Sequence, residues 1–201
     1  MIRIDTPCFQ ALTAGAEVVE RDSYGAKVLL LPDQSYFKLF RRKRLLSSAL
    51  WRPYAQRFAD ACRVLAERRI PCPEVIALYR IPSIERDAVH YLPLPGQTLR
   101  QMLEQGMGEA DAAQLRRQLG AFVARLHAAG IYFRSLHLGN IVLTQQKTLG
   151  LIDLADMRAY RRGLGRILRH RNLRHMLRYP EEAGWLAGNG EFLAAYRASA
   201  T

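Results

Sequence analysis

The pattern that most limits how this chain can fold lies between residues 111 and 154. Asp111–Ala129 carries apolar residues three and four positions apart, which predicts a helix, and Gly130 follows it as a C-terminal stop. A loop over Ile131–Gly139 then leads into two short apolar segments, Asn140–Leu143 and Leu149–Leu154, which a polar turn joins. The sequence therefore predicts a β-hairpin that follows a long helix and an intervening loop.

The segments around this region show both kinds of pattern. Strands are predicted within Glu17–Phe40, at Val75–Arg80 and at Ala88–Leu92, and helices at Ser47–Arg68, at Thr98–Glu104 and through the basic segment after Leu154. Because strands and helices are segregated along the chain, we expect an α+β fold. With 201 residues and 49% hydrophobic content, the chain suits one domain or two small lobes that share a cleft.

Some classes of protein do not fit this sequence. No apolar run reaches the roughly 18 residues that are needed to span a bilayer. Met1–Gln10 has no apolar core, so a signal peptide is not expected. The three cysteines, Cys8, Cys62 and Cys72, are odd in number and lack metal-ligand spacing, which predicts free thiols in a reducing cytoplasm.

The net charge of +12 and the pI of about 10.2 indicate either an anionic partner or a solvated basic face in a proteome that is rich in arginine. Arg158–Arg178 contains eight arginines, two histidines and no acidic residue, with apolar residues between them. This segment predicts a surface for anionic lipid or phosphorylated glycolipid, an ordinary helix with an inward apolar stripe, or both. Arg41–Arg44 is a second basic cluster, but no nucleic-acid-binding motif is recognised, so a nucleic-acid partner is not favoured.

Asn140 and Asp153 are the hairpin residues that can carry chemistry. Amide and carboxylate oxygens are hard ligands of the kind that bind magnesium, although a plain hairpin with Asn in a turn and Asp at a strand end is the structural alternative. Leu136-His-Leu-Gly-Asn140 and Ile152-Asp-Leu154 resemble the catalytic loop and metal-binding strand of the protein-kinase-like superfamily. The first segment also resembles the L-H-x-G-N loop of small-molecule kinases such as the aminoglycoside phosphotransferases.

The whole pattern resembles the lipopolysaccharide-core kinase group, which phosphorylates heptose or Kdo sugars and includes short proteins named for toluene tolerance. The resemblance covers roughly Glu17–Tyr160. It implies a two-lobed kinase-like fold, with a nucleotide-binding lobe of a small antiparallel sheet and a helix over residues 1–92, and a mainly helical catalytic lobe over residues 93–201. It also implies ATP and Mg²⁺ as cofactors, a sugar hydroxyl of the lipopolysaccharide core as acceptor, and a cytoplasmic protein with peripheral contact to the inner membrane.

The resemblance implies that the nucleotide's phosphates lie near Lys38, which is in the apolar strand Tyr36–Leu39. A lysine at a strand centre otherwise extends its ammonium group to solvent. In these kinases the lysine has an acidic partner on the following helix. Asp60 is the expected partner, because Glu67 lies too close to the helix end.

Two other features of the implied nucleotide site are less specific. Gly25 is the single glycine of Asp22–Ala26, so it predicts either a close backbone approach to a phosphate or a simple hairpin turn. His90–Gly96 is placed at the hinge between the lobes. There the backbone groups near Tyr91 and Leu92 would contact adenine.

The resemblance implies a catalytic set of Ser135, Asn140 and Asp153, in which Asn140 and Asp153 are the metal ligands. Ser135 departs from the family pattern. The family has an aspartate at this position, which accepts the proton of the substrate hydroxyl. An unassisted serine cannot do so at neutral pH, so a pseudokinase, an ATP-binding regulatory module, is the alternative function. A missing base would slow transfer without abolishing it, because positioning and metal charge supply most of the catalysis. Asp156 and His137 are either substitute bases or a surface carboxylate and a loop histidine.

Overall fold

The structure, a computed structural model, describes residues 1–41 and 52–200. Its strands are β1 (Ile2–Arg3), β2 (Glu17–Asp22), β3 (Gly25–Leu30), β4 (Tyr36–Arg41), β5 (Glu74–Ile81), β6 (Arg86–Leu92), β7 (Gln97–Thr98), β8 (Ile131–Phe133), β9 (Ile141–Leu143), β10 (Leu149–Leu151) and β11 (Met157–Ala159). Its helices are α1 (Thr6–Leu12), α2 (Tyr54–Glu67), α3 (Leu99–Gln105), α4 (Glu109–Ala128), α5 (Arg166–Met176), α6 (Pro180–Ala187) and α7 (Glu191–Ser199). Short 3₁₀ turns occupy Pro82–Ile84, Leu138–Asn140 and Leu154–Asp156. The predicted α+β class is confirmed.

Six strands form the larger sheet, in the order β1-β5-β6-β4-β3-β2. Strand β1 runs parallel to β5, and the other neighbouring pairs are antiparallel. One face of the sheet buries Phe37, Leu39 and Ile81, with Phe9 of α1 packed against this cluster. The sequence patterns predicted β2 to β6 but neither β1 nor α1, because both elements are too short to show a clear periodicity.

Helix α2 connects the larger sheet to the C-terminal half, since it packs on β5 and β6 and also on the turn Leu154–Asp156. Its buried face consists of Ala55, Phe58, Ala61, Cys62 and Leu65. The helix predicted over Ser47–Arg68 is observed from Tyr54, and residues 47–51 lie outside the described range. A helix that is packed on two sides fixes the larger sheet against the turn that follows Asp153.

The C-terminal half is built around α4, and the predicted hairpin appears as β9 and β10, with Val142 opposite Gly150. Strand β7 pairs with β9 and completes a three-stranded sheet. The predicted loop Ile131–Gly139 begins instead as strand β8, which pairs with β11 and places Tyr132 opposite Arg158. Strands of three residues are too short to show the alternation from which a strand is predicted.

Gly150 allows three segments to meet closely. A Cβ atom at this position would lie 2.5 Å from Leu94 Cδ2 and 2.6 Å from the carbonyl oxygen of Pro71. The next residue, Leu151, donates its N–H to the same Pro71 oxygen at 2.9 Å. The hairpin therefore packs directly on the hinge segment and on the chain that enters β5.

His127 of α4 is fully buried and connects α7, α5 and β8. Asn172 Nδ2 donates to the carbonyl oxygen of Phe133 at 2.6 Å, which turns Asn172 Oδ1 towards His127 Nε2 at 3.2 Å. His127 therefore carries its proton on Nε2, and Nδ1 accepts from the Tyr196 hydroxyl at 2.8 Å. Burial, together with the charge of Arg169, lowers the pKa of His127 to about 4 against the opposing effect of the Asn172 hydrogen bond.

We expect the protein to lose stability between pH 6.5 and 4. His127 ionises near pH 6.5 when unfolded and only near 4 when folded, so the unfolded state binds the extra proton first as the pH falls. The stability that depends on neutral His127 is fully present above pH 6.5, and the free energy of unfolding should be lower by about 2 kcal/mol at pH 5. Urea unfolding at pH 7 and pH 5 measures this loss. In His127→Gln the difference between these two pH values should shrink, and an unchanged difference would contradict the assignment.

Helix α5 carries much of the basic segment on the surface of the C-terminal half. Asn172 and Met176 face the interior, whereas Ile167 is 83% exposed among arginines. The inward stripe predicted for this segment is therefore present, and an exposed basic face lies beside it. In the described residues no helix is both long and apolar enough to cross a bilayer. The three cysteines are free thiols, as predicted.

Candidate active site

Lys38 and Asp153 form the contact around which the site is built. Lys38 is central in β4, whose neighbours Phe37 and Leu39 are buried on the opposite face of the sheet. Its side chain is only 7% exposed, and Nζ donates to Asp153 Oδ1 at 2.5 Å across 115 residues of sequence. The ion pair joins the larger sheet to the segment that follows β10.

Asp153 has a left-handed backbone conformation, with φ 53° and ψ 53°, at the start of the turn Leu154–Asp156. Residues other than glycine adopt this conformation infrequently, although aspartate does so more often than most, and it costs on the order of 1 kcal/mol, which the surrounding structure must offset. The side chain is nevertheless 46% exposed, so the carboxylate is open to a ligand while it contacts Lys38. Such strain is typical of functional positions.

Asn140 is buried, and the orientation of its amide is fixed. Its Nδ2 donates to the carbonyl oxygen of Ser135 at 3.0 Å, and because a carbonyl only accepts, Oδ1 must lie on the other side of the amide. The carbonyl oxygen of Asn140 accepts from the N–H of Ile152 at 3.1 Å. This bond ties Asn140 to the residue next to Asp153.

Asn140 and Asp153 fit a magnesium site of the kind that a nucleotide completes. In the described part of the chain, no group of three or more His, Cys, Asp or Glu side chains could hold a metal ion by itself. Magnesium does not require one, because it is commonly held by one or two protein oxygens together with substrate phosphates and water. The Asp153 carboxylate and the Asn140 amide oxygen are donors of this type.

The structure corrects the expected pairing of Lys38 with Asp60. Asp60 accepts from Arg52 Nη2 at 2.6 Å and from Gln56 Nε2 at 3.1 Å, on the flank of α2. The buried face of α2 carries no carboxylate, so the helix offers Lys38 no acidic partner there. The physical reason is the rotation of the helix, and Lys38 pairs directly with Asp153 instead.

Gly25 and Leu92 lie at open positions of the larger sheet. Gly25 has φ +113° at the start of β3, directly after the turn from β2, and apart from its chain neighbours no described residue lies within 4 Å of where a Cβ would stand. The hairpin turn predicted at Gly25 is present, and the close approach of its backbone to a phosphate stays a prediction. Leu92 is 42% exposed at the end of β6, and the hinge after it offers few N–H groups because Pro93 and Pro95 have none.

Tyr91 lies on the same face of the sheet as Lys38, because Tyr36 pairs with Tyr91 and Lys38 with Val89. Its ring lies 5.2 Å from that of Phe58 and 5.8 Å from that of Tyr36. Burial and then the charge of Asp153 raise the pKa of Tyr91. The side chain therefore packs against Phe58 and Tyr36 on the face of the sheet that carries Lys38, and its phenol stays protonated.

Ser135 lies beside the two residues that the sequence offered as substitute bases. Its hydroxyl donates to Asp156 Oδ2 at 2.5 Å. His137 lies 3.3 Å from Asn140 Nδ2 through Nε2 and 3.3 Å from Arg100 Nη2 through Nδ1. Burial and the charge of Arg100 lower the pKa of His137, so the imidazole is neutral at pH 7.

Glu182 of α6 is a loop-supporting residue that the sequence did not indicate. Its side chain is 4% exposed, Oε2 accepts from the N–H of Leu138 at 2.9 Å, and Oε1 accepts from Arg100 Nη2 at 2.5 Å. No local motif marks a glutamate in the first turn of a late helix. Only its contact with a loop some 40 residues earlier gives it this role.

Family profiles match the chain over both halves of this site. The profile of the phosphotransferase enzyme family APH matches residues 36–135, which include Lys38. The profile of the lipopolysaccharide kinase (Kdo/WaaP) family matches residues 95–196, just over half of the chain. The chain belongs to the lipopolysaccharide kinase (Kdo/WaaP) family. The kinase-like fold implied by the sequence is thereby confirmed, and Ser135, Asn140 and Asp153 all fall within the matched range of this kinase family.

Comparison with solved structures gives 1535 matching chains, one of which is the bifunctional kinase-methyltransferase WbdD, whose structure was determined at medium resolution. The TM-score is 0.49 and the sequences are 17% identical. The match covers 66% of this chain and 30% of that one, so the chain spans about a third of the length of that protein. No curated protein sequence matches significantly.

Proposed function

We propose that the protein is an ATP-dependent phosphotransferase that acts on a sugar hydroxyl of the lipopolysaccharide core. The observation that carries the proposal is the contact between buried Lys38 and half-exposed Asp153, with Asn140 held in a fixed orientation and tied through its carbonyl oxygen to Ile152, next to Asp153. A cation for phosphates and two oxygen ligands for a metal ion then belong to one site. Membership of the lipopolysaccharide kinase family supports the choice of acceptor.

In this proposal residues 1–92 form the nucleotide-binding lobe and residues 93–201 the catalytic lobe. Lys38 binds the α- and β-phosphates, the backbone of Gly25 covers them, and the backbone near Tyr91 and Leu92 binds adenine. Magnesium, when bound by Asn140 and Asp153, neutralises charge on the phosphate oxygens.

The basic surface of α5 supports an anionic glycolipid as acceptor. The helix presents arginines and the exposed side chain of Ile167, the combination that favours an anionic membrane surface. We propose that the protein is cytoplasmic and contacts the inner membrane peripherally through this face.

Anionic vesicles should then retain the protein at low salt and release it at high salt, because dissolved salt screens the attraction between surface charges, already within about 8–10 Å at physiological salt.

The function is tested with radiolabelled ATP and lipopolysaccharide core that alkaline phosphatase has stripped of phosphate. Label should pass to the core only when magnesium is present. Binding of ATP without transfer to any core acceptor would favour the pseudokinase, the alternative that Ser135 supports because a serine stands where kinases have an aspartate. Failure to bind ATP would reject both functions.

A further inference from the structure

Pairing of β8 with β11 holds the segments that carry Ser135 and Asp156 side by side. Strand β8 ends at Phe133, opposite Met157, the first residue of β11. Beyond the ladder, Arg134 and Ser135 lie in a turn and Asp156 ends the 3₁₀ turn before β11, and Arg134 Nε lies 4.0 Å from Asp156 Oδ2. The 2.5 Å hydrogen bond from Ser135 Oγ to Asp156 Oδ2 therefore joins two segments that the adjacent strand pairing holds side by side.

The loop that carries Ser135 is also held at both ends. Before it, Asn172 donates to the carbonyl oxygen of Phe133 at 2.6 Å. After it, the N–H of Leu138 donates to Glu182 at 2.9 Å. Both supporting side chains are buried, and they come from two separate helices, α5 and α6. A hydroxyl held in this way has the fixed position that proton transfer requires.

Asp156 has capacity to take up a proton. Its Oδ2 accepts from Ser135, while Oδ1 is buried and has no hydrogen-bond partner within the described residues. A buried carboxylate oxygen without a partner is costly and calls for an explanation. A carboxylate that becomes protonated during the reaction provides one.

His137 is the weaker candidate because both of its ring nitrogens face donors. Arg100 Nη2 and Asn140 Nδ2 each lie 3.3 Å away, and neither group can accept a hydrogen bond at those atoms. A proton added to the imidazole would therefore point at a donor and lie beside the arginine cation. Arg134 Nε, 4.0 Å from Asp156 Oδ2, also disfavours protonation of Asp156, but no donor faces Oδ1 within the described residues, and the Ser135 hydroxyl already points its proton at Oδ2.

We propose that Ser135 and Asp156 together replace the missing aspartate, an inference that rests on the phosphotransferase function proposed above. The acceptor hydroxyl gives its proton to Ser135 Oγ while Ser135 gives its own proton to Asp156 Oδ2. The acceptor oxygen forms a bond to the γ-phosphorus of ATP, and the bond from that phosphorus to the bridging oxygen breaks, with the electron pair leaving on ADP. Ser135 contacts the substrate, and Asp156 acts through it.

The test is a double-mutant cycle on transfer from ATP to dephosphorylated lipopolysaccharide core. Ser135→Ala and Asp156→Asn should each lower kcat by about 10²- to 10⁴-fold with unchanged affinity for ATP. The double variant should lose no more than either single variant, because both remove the same proton path. In Ser135→Asp/Asp156→Asn a direct base is restored, and most of the lost rate should return.

Asp33→Asn is the matched control, because Asp33 accepts from the Ser35 hydroxyl at 2.6 Å in the turn before β4, away from Asp153. Its kcat should stay at the wild-type value, and thermal melts show whether each variant folds. If wild type transfers phosphate and Asp156→Asn keeps the wild-type kcat, the relay is wrong while the proposed function stands. Losses that add in the double variant, without rescue by Ser135→Asp, would also overturn the relay. A wild type that transfers no phosphate overturns both proposals.

Discussion

Asp153→Asn should abolish most phosphate transfer, with a loss of about 10³-fold or more in kcat. The variant keeps the shape of the side chain but removes the only charged group of the proposed metal site, so magnesium should no longer strengthen ATP binding. Calorimetric titration of ATP with and without magnesium measures the second effect directly. Equal magnesium dependence in wild type and variant would reject Asp153 as a ligand.

The same substitution should also destabilise the fold, for a reason that is separate from catalysis. Lys38 is 7% exposed, so loss of the Asp153 charge leaves a buried ammonium without its partner. Breaking a fully buried pair costs about 3–5 kcal/mol, and the cost here should be nearer 1–2 kcal/mol because Asp153 is half exposed. The double variant Lys38→Met/Asp153→Asn should regain the lost stability, as measured by urea unfolding, but it should regain no transfer activity. That result separates the structural effect from the chemical one.

The residues of the cleft could be predicted because each lies in a local pattern. Lys38 stands alone in an apolar strand, and Asn140 and Asp153 stand at the ends of two short apolar segments with a turn between them. Pairing of β9 with β10 brings the segments that carry Asn140 and Asp153 together, and packing between the two sheets brings Lys38 and Asp153 to 2.5 Å. Their roles toward a nucleotide and a metal ion stay predictions.

The contacts that the sequence could not supply depend on helix rotation and on pairing of very short strands. A shift of one or two positions along α2 decides whether Asp60 faces Lys38 or Arg52, and helical periodicity alone does not fix which face meets the cleft. The Ser135–Asp156 contact lies just beyond the pairing of β8 with β11, three-residue strands with no detectable alternation. Asn172 and Glu182 support the loop from helices far along the chain.

Lys38→Met should weaken ATP binding by about 10- to 100-fold and leave adenosine binding unchanged. A charge-assisted hydrogen bond is worth about 1.5–3 kcal/mol, and adenosine has no phosphate to receive it. Transfer should fall by about a further 10²-fold, because the ammonium also stabilises charge during transfer.

Lys38→Met should make the fold more stable, whereas Asp153→Asn should make it less stable. Methionine fits the buried, largely apolar position of Lys38, and the half-exposed Asp153 carboxylate that remains can be hydrated. Lys27→Met is the matched control, because Lys27 is a partly exposed lysine on the neighbouring strand β3 that pairs with Glu20. It should bind both ligands as wild type does. Equal losses of ATP and adenosine affinity in Lys38→Met would identify Lys38 as a structural lysine, and with it the central contact of the proposed site would lose its role.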